Sequence, residues 1–315
     1  MCVMPAACHV FVHQVGSTYE DLVRTAGKVE SCGYDGMWLV DHFWAAHAPE
    51  ADLLEPWTAI AGLAEATEKL RLGVMVSCNA FRTPGLLAKV AATADHISDG
   101  RVELGMGTGW MEEEFIAYGY DFAPVGERLS ALGESLDIIR SLFTRESTNY
   151  IGEHYRLKGA RFEPKPVQSP LPITIGGAGR KVMLGLVARH AQRWNCPMPA
   201  AGDLPSLVED LHARCSEVGR DPTEITISEQ VAVVIGKDDA SYRQKRELAQ
   251  KTVGGFIEDI DAMAVCGTPN QVVDDLNARL ERGAGEFAVI FGDLGMEDSL
   301  ELFATRVLPE LASPL

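Results

Sequence analysis

The chain has 315 residues, 46% hydrophobic and 23% charged, enough to bury a large core in one or two domains. Its net charge of −17, with no basic arm, repels phosphate backbones and argues against nucleic-acid binding. Seven cysteines lie scattered without a CxxC pair, which suits a reduced, cytoplasmic protein. The start of the chain shows no secretory leader, and its apolar runs are strand-length, far below the roughly 18 residues of a membrane span, so no membrane partner is expected.

From the N-terminus onward, short apolar runs alternate with longer amphipathic stretches. The strand candidates are 8–12, 37–40, 72–76, 102–106, 173–175, 193–196, 225–235 and 287–291. Between them, 18–29 runs from a Ser17 cap to a Gly33 stop. Glu55-Pro56 opens a segment to Thr67, Pro84 opens one to Ile97, and 126–142 and 179–190 have helical spacing. Thr268 reads as a cap with Pro269 in the first helical position, leading to Arg282. Eight strand–helix repeats predict one closed (β/α)8 TIM barrel over 1–315, with a doubly wound open sheet as the competing arrangement. The stretch 144–170 breaks the alternation and is expected to be a hairpin and irregular insertion between strands four and five.

In a barrel, chemistry sits just past the strands. Those positions hold His13-Gln14, Asp41-His42-Phe43-Trp44, Ser77-Cys78-Asn79, Gly107-Thr108-Gly109-Trp110, Gly176-Gly177-Ala178-Gly179-Arg180, Asn195-Cys196 and Gly292-Asp293. The two glycine clusters, 105–109 and 176–179, could bring bare N–H groups to a phosphate or serve as tight turns. The usual barrel phosphate site would instead use the last loops, here 292–295, and pattern alone leaves these locations open. Asp41-His42 reads equally as an acid–base pair and as a helix cap beside a surface histidine. No HxH, HExxH or GxSxG spacing occurs, so neither a metal site nor a serine nucleophile is expected. Glu112-Glu113-Glu114 reads as a solvated first helical turn.

Several segments together carry a family resemblance. They are 33–43, ending Leu39-Val40-Asp41-His42-Phe43, then Leu54-Glu55-Pro56-Trp57-Thr58, 72–84, and 99–110 with its Gly-Thr-Gly-Trp close. Further on they include 113–119, Pro164-Lys165-Pro166, 172–177, 187–191 before Trp194-Asn195, and Gly267-Thr268-Pro269. Over nearly its whole length the chain resembles the luciferase-like monooxygenase superfamily, in particular the branch that uses the deazaflavin coenzyme F420.

The resemblance implies a ring-shaped cofactor over strands two to four, bordered by Asp41, Val76, Cys78, Thr108 and Gly109. Its phosphate would rest on the loop carrying Gly177, Gly179 and Arg180. His42 is expected to be catalytic, moving a proton near neutral pH as histidines do. His13, Asn79, Trp110 and Trp194 are expected around the substrate. A non-prolyl cis peptide is expected at Met75–Val76, with Val76–Ser77 as second choice. Trp110 stands where the superfamily's sugar-phosphate dehydrogenases carry a glutamate, which argues for a pocket with apolar walls instead.

The implied activity is F420-dependent hydride transfer to or from a small apolar organic substrate. A flavin mononucleotide (FMN) monooxygenase, fed with reduced flavin by a partner reductase, is the alternative on the same scaffold, and a non-redox lyase or isomerase is the alternative from another class. A polyanionic F420 tail nearing an acidic protein needs cations, for which Arg180 and Lys181 are the candidates. Substrate identity and a homodimer stay open.

Overall fold

The computed structural model describes residues 6–45, 48–252, 260–293 and 297–312. Eight strands form its centre: β1 (Ala7–Val12), β2 (Gly36–Leu39), β3 (Arg71–Val74), β4 (Val102–Gly107), β5 (Ile173–Gly176), β6 (Arg193–Cys196), β7 (Thr226–Ile235) and β8 (Glu286–Phe291). Each pairs in parallel with the next, and β8 returns to β1 through Cys8↔Phe287 and Val10↔Val289. The sheet therefore closes, as the alternation predicts, and every strand candidate overlaps one of these strands. A two-residue strand, Ser77–Cys78, extends beyond β3 and pairs with the end of β4. One further strand, Ala264–Gly267, adds to the outer half of β7 and was not expected.

The strands read as apolar because both faces are covered. Met37 and Leu39 face the helical layer, while Trp38 between them points into the barrel. The helices start where their punctuation places them. Tyr19–Ser31 is capped by Thr18, one residue past the expected Ser17, in a reciprocal capping box with Asp21. Pro56–Ala66 opens on the Glu55 carboxylate, and Pro269–Glu281 on a Thr268–Gln271 capping box. The helix after β5 departs from expectation: it starts at Met183, a turn later than Gly179. Residues 180–182 form turns instead, and Val182, just before the helix, offers no side-chain cap that would start it earlier.

The insertion holds the expected hairpin, with strands Thr148–Ile151 and Arg156–Ala160 antiparallel. The Met75–Val76 peptide is cis, at the first-choice bond.

Barrel interiors are usually filled with branched apolar side chains. Here the N-terminal end is an ion cluster. Arg71 Nε donates to Glu103 at 2.6 Å, and Arg193 bonds both Glu103 and Glu286, the latter at 2.5 and 3.1 Å. His9 Nε2 lies 3.7 Å from Glu286. Burial would push the Glu286 carboxyl up, but His9 and Arg193 outweigh it and hold it down to about 2. Above this layer Trp38 crosses the barrel over Gly73, where a Cβ would sit 2.2 Å from the indole ring.

Candidate active site

At the opposite, C-terminal end, the loop after β2 delivers His42 and the short helix Glu112–Ala117 delivers Glu114. His42 Nδ1 lies 2.9 Å from Glu114 Oε2, and the Phe43 N–H donates to Glu114 Oε1 at 2.5 Å. In the tautomer that donates Nδ1–H to this carboxylate, the Nε2 lone pair is left free. Glu114 is 1% exposed, whereas the His42 side chain keeps 25% exposure at the mouth. Trp110 stands edge-on to the imidazole, ring centres 5.7 Å apart, and is itself 69% exposed. The arrangement is an imidazole oriented by a buried carboxylate, with an exposed indole edge-on beside it.

Glu114 was missed because three consecutive glutamates at a helix start look solvated, and Glu112 and Glu113 are indeed exposed. A signal existed: Met111, Glu114, Phe115 and Tyr118 share one helical face, and the first and third are buried apolar residues. A glutamate in that row faces inward.

Asp41 is placed close to His42 in sequence but serves another partner. Its two oxygens bind Arg82 at 2.8 and 2.9 Å, and one also accepts the Cys78 N–H at 2.8 Å. Arg82 continues to Glu55 at 2.5 Å. This chain of charges ties the loop after β3 to that after β2. Asp41 and His42 therefore do not form the acid–base pair that one reading of the sequence allowed.

Val76 projects over the mouth's floor into space left by three glycines. A Cβ on Gly107 would lie 2.5 Å from Val76 Cγ2, and Gly176 and Gly105 are as bare on either side. Gly109, at φ +74°, passes so close to Cys78 that a Cβ would meet its sulfur at 2.6 Å. Burial pushes the Cys78 thiol up to about 12, so it is no nucleophile at neutral pH. Thr108 is half-buried beside this floor, Asn79 is buried next to Cys78, and His13 packs edge-on against Phe11 at 4.9 Å.

The loop after β5 carries mixed features. The backbone N–H groups of Ala178, Gly179 and Arg180 make no hydrogen bond among the described residues, so they can receive an anion ahead of the helix Met183–His190. The Gly177 N–H, by contrast, is used by Asn195 O at 3.2 Å. The Arg180 guanidinium turns to Asp210 at 2.5 Å, Asp203 at 3.4 Å and Ser206 at 2.9 Å. Its charge is thus already matched by the helix Leu204–Val218, while Lys181 stays exposed.

Trp194 is a correction. It is fully buried in the layer between barrel and helices, where Nε1 donates to Gly177 O at 2.8 Å. Alternation along β6 sends Asn195 inward and Trp194 outward, so it does not line the pocket.

A closed parallel barrel with an oriented imidazole and glycine-cleared floor at its C-terminal mouth is the architecture of a barrel enzyme. The sequence pattern of the luciferase-like monooxygenases matches residues 3–255, and the chain belongs to that family. An F420-dependent hydroxymycolic acid dehydrogenase of Mycobacterium tuberculosis is 27% identical over 92% of this chain and 84% of its own. An F420-dependent glucose-6-phosphate dehydrogenase of Amycolatopsis mediterranei is 34% identical, over 55% of this chain and 50% of its own. Among solved structures, an F420-dependent secondary alcohol dehydrogenase bound to an F420–acetone adduct superposes with TM-score 0.86 at 19% identity, covering 98% and 100% of the two chains. An EDTA monooxygenase from Chelativorans shares the fold at TM-score 0.81 and 16% identity, over 97% and 93%.

Proposed function

We propose that the chain is an F420-dependent oxidoreductase that interconverts a small, apolar alcohol and its carbonyl compound. The observation that carries this reading is the buried Glu114 behind His42. Bound at the mouth, the deazaflavin would supply the hydride acceptor or donor. The residues present fit such a group: Val76 with its glycine-cleared surroundings offers a flat backing, Thr108 and Gly109 border it, and the free N–H groups of Ala178, Gly179 and Arg180 can take its phosphate.

The chain's own part is positioning and proton transfer. With Nδ1–H held by Glu114, His42 Nε2 takes the hydroxyl proton as the carbon gives up its hydride, and returns it in the reverse direction. Oxidation leaves positive charge on the imidazole, which the buried carboxylate stabilises. Trp110 shields the reacting carbon from water and favours an apolar substituent beside it. His13 and Asn79 complete the polar part of the pocket. Asp41 acts indirectly, holding Cys78 and Arg82 in place.

One observation favours the FMN monooxygenase alternative. Arg180, the expected partner of a polyanionic tail, is occupied by Asp203 and Asp210, and FMN has no such tail. That reading also needs a partner reductase. The non-redox alternative has no support from the family. A cytoplasmic setting is supported by the six cysteines among the described residues, all of them free, and no helix among those residues is long and apolar enough to cross a membrane. A homodimer is compatible with either cofactor.

The deciding test is titration of the apoprotein with F420 and with FMN, followed by turnover of a panel of secondary alcohols. Tighter F420 binding and His42-dependent alcohol oxidation are expected; preference for FMN would overturn the assignment.

A further inference from the structure

The hairpin in the insertion does more than decorate the barrel. Its tip, 152–155, is clamped by one carboxylate from the helix Val125–Thr144. Glu134 accepts the consecutive N–H groups of Glu153, His154 and Tyr155 at 2.6, 3.1 and 3.0 Å. Three such bonds to one charged acceptor fix the tip far more firmly than a free loop. The clamp is tight: a Cβ on Gly152 would sit 2.2 Å from the carboxylate.

Held this way, the tip sends Tyr155 back to the mouth. Its hydroxyl accepts the Asn79 Nδ2–H at 3.1 Å. A phenol that accepts still has its own proton to donate. Next to it, His154 Nε2 is buried without a hydrogen-bond partner among the described residues. Asn79, Tyr155, His154, Thr108 and Arg128 share a pocket of about 130 Å³. Whole small-molecule sites run to roughly 300–1,000 Å³, so this pocket holds only part of a ligand.

The lining also defines the chemistry. Arg128 is committed to the carbonyls of Gly109 and Ala123 and lies 4.1 Å from the Phe122 ring centre. Asp121 and Glu127 bring negative charge to the rim. An anion is poorly received there, whereas a neutral group that both donates and accepts is well matched.

We propose that the hairpin tip builds a subsite for a short hydroxyl-bearing segment of the bound ligand, with Tyr155 as its hydrogen-bond donor and Glu134 as the residue that positions it. The inference rests on the functional reading above, in that the mouth is the ligand site. The hydroxyls could come from the cofactor's side chain or from the substrate, and the test separates the two.

Tyr155→Phe keeps the ring and removes only the proton. Fluorescence titration with F420, absorbance titration with FMN and alcohol kinetics are compared with wild type and with Lys158→Ala, an exposed position on the same hairpin. Losing one ligand hydrogen bond corresponds to about 5- to 30-fold weaker binding. That loss in the cofactor Kd assigns the hydroxyls to the cofactor. The same loss in KM, with cofactor Kd unchanged, assigns them to the substrate. Glu134→Gln should move the same quantity in the same direction and speed amide hydrogen exchange at 153–155, while Lys158→Ala moves neither. Kd and KM within twofold of wild type for Tyr155→Phe would overturn the subsite and leave the functional reading intact. A wild-type protein that binds neither cofactor would overturn both.

Discussion

At the N-terminal end of the barrel, Glu103 and Glu286 share Arg193, with Arg71 and His9 completing the cluster. At the C-terminal mouth, Glu114 holds His42, and Asp41 holds Arg82. Both ends bury carboxylates, and both meet them with bases. The lower acids face two guanidinium groups and the buried His9 in a closed layer, which costs desolvation and yields a fixed plug. At the mouth Asp41 likewise meets a guanidinium, while Glu114 meets an imidazole whose ring still reaches solvent. The same kind of pairing is sealed in where its base is buried and open to a ligand where its base is exposed.

That contrast can be broken most forcefully from below. Glu103→Ala strips Arg193 and Arg71 of a shared acid, and removing one member of a buried pair typically costs about 3–5 kcal/mol. Urea unfolding is expected to show a loss of that order with the mouth's geometry unchanged in the surviving native fraction. A loss below about 1 kcal/mol would mean that solvent already pairs these arginines.

The mouth should respond in the other currency of measurement, rate. His42→Ala is expected to lower turnover by roughly 10²–10⁴-fold, the usual worth of a positioned base. Its unfolding free energy should fall by only about 1–3 kcal/mol, the usual cost of leaving one buried acceptor, here Glu114, short of a partner. Glu114→Gln should lower turnover in the same direction. If His42→Ala left turnover intact, the two ends would be alike after all.

Acid distinguishes them next. The Glu286 carboxyl is held down to about 2 against an ordinary value of 4.5, so its contribution is fully present above 4.5. That contribution fades as pH falls from 4.5 towards about 2. Stability measured across this window should fall less steeply in Glu286→Gln than in wild type. Parallel curves would show that the cluster does not govern acid unfolding.

The smallest expected effects concern glycines. Gly73→Ala drives a methyl into Trp38, and overpacking of this kind costs typically about 1–3 kcal/mol. Gly107→Ala drives one into Val76 at the mouth floor, so cofactor titration should register it beyond any stability change. Equal cofactor affinity in Gly107→Ala and wild type would remove Val76 from the binding floor.

Much of this was legible in the chain. The eight apolar runs locate the strands because a strand covered on both faces has little room for polar residues. Glu55-Pro56, Thr83-Pro84 and Thr268-Pro269 mark helix starts because capping is a local interaction. His42, Thr108 and Gly109 were read at the mouth from their place at strand ends. Local order also carried the cis bond at Met75–Val76 through family resemblance.

What the sequence alone determined was therefore the eightfold strand–helix alternation, its insertion and the end at which chemistry gathers, since these follow from periodicity and near-neighbour punctuation, whereas closure over an open sheet came with the pairing of the last strand to the first. Tertiary structure decided the pairings. Glu114 reaches His42 across 72 residues and Asp41 reaches Arg82 across 41, while Glu134 clasps a tip 19 to 21 residues on. Arg180 spends its charge on a helix 30 residues away, and Trp194 turns outward with the pleat of its strand. A carboxylate's partner depends on which loops the closed barrel brings within about 3 Å, and no local pattern records that distance.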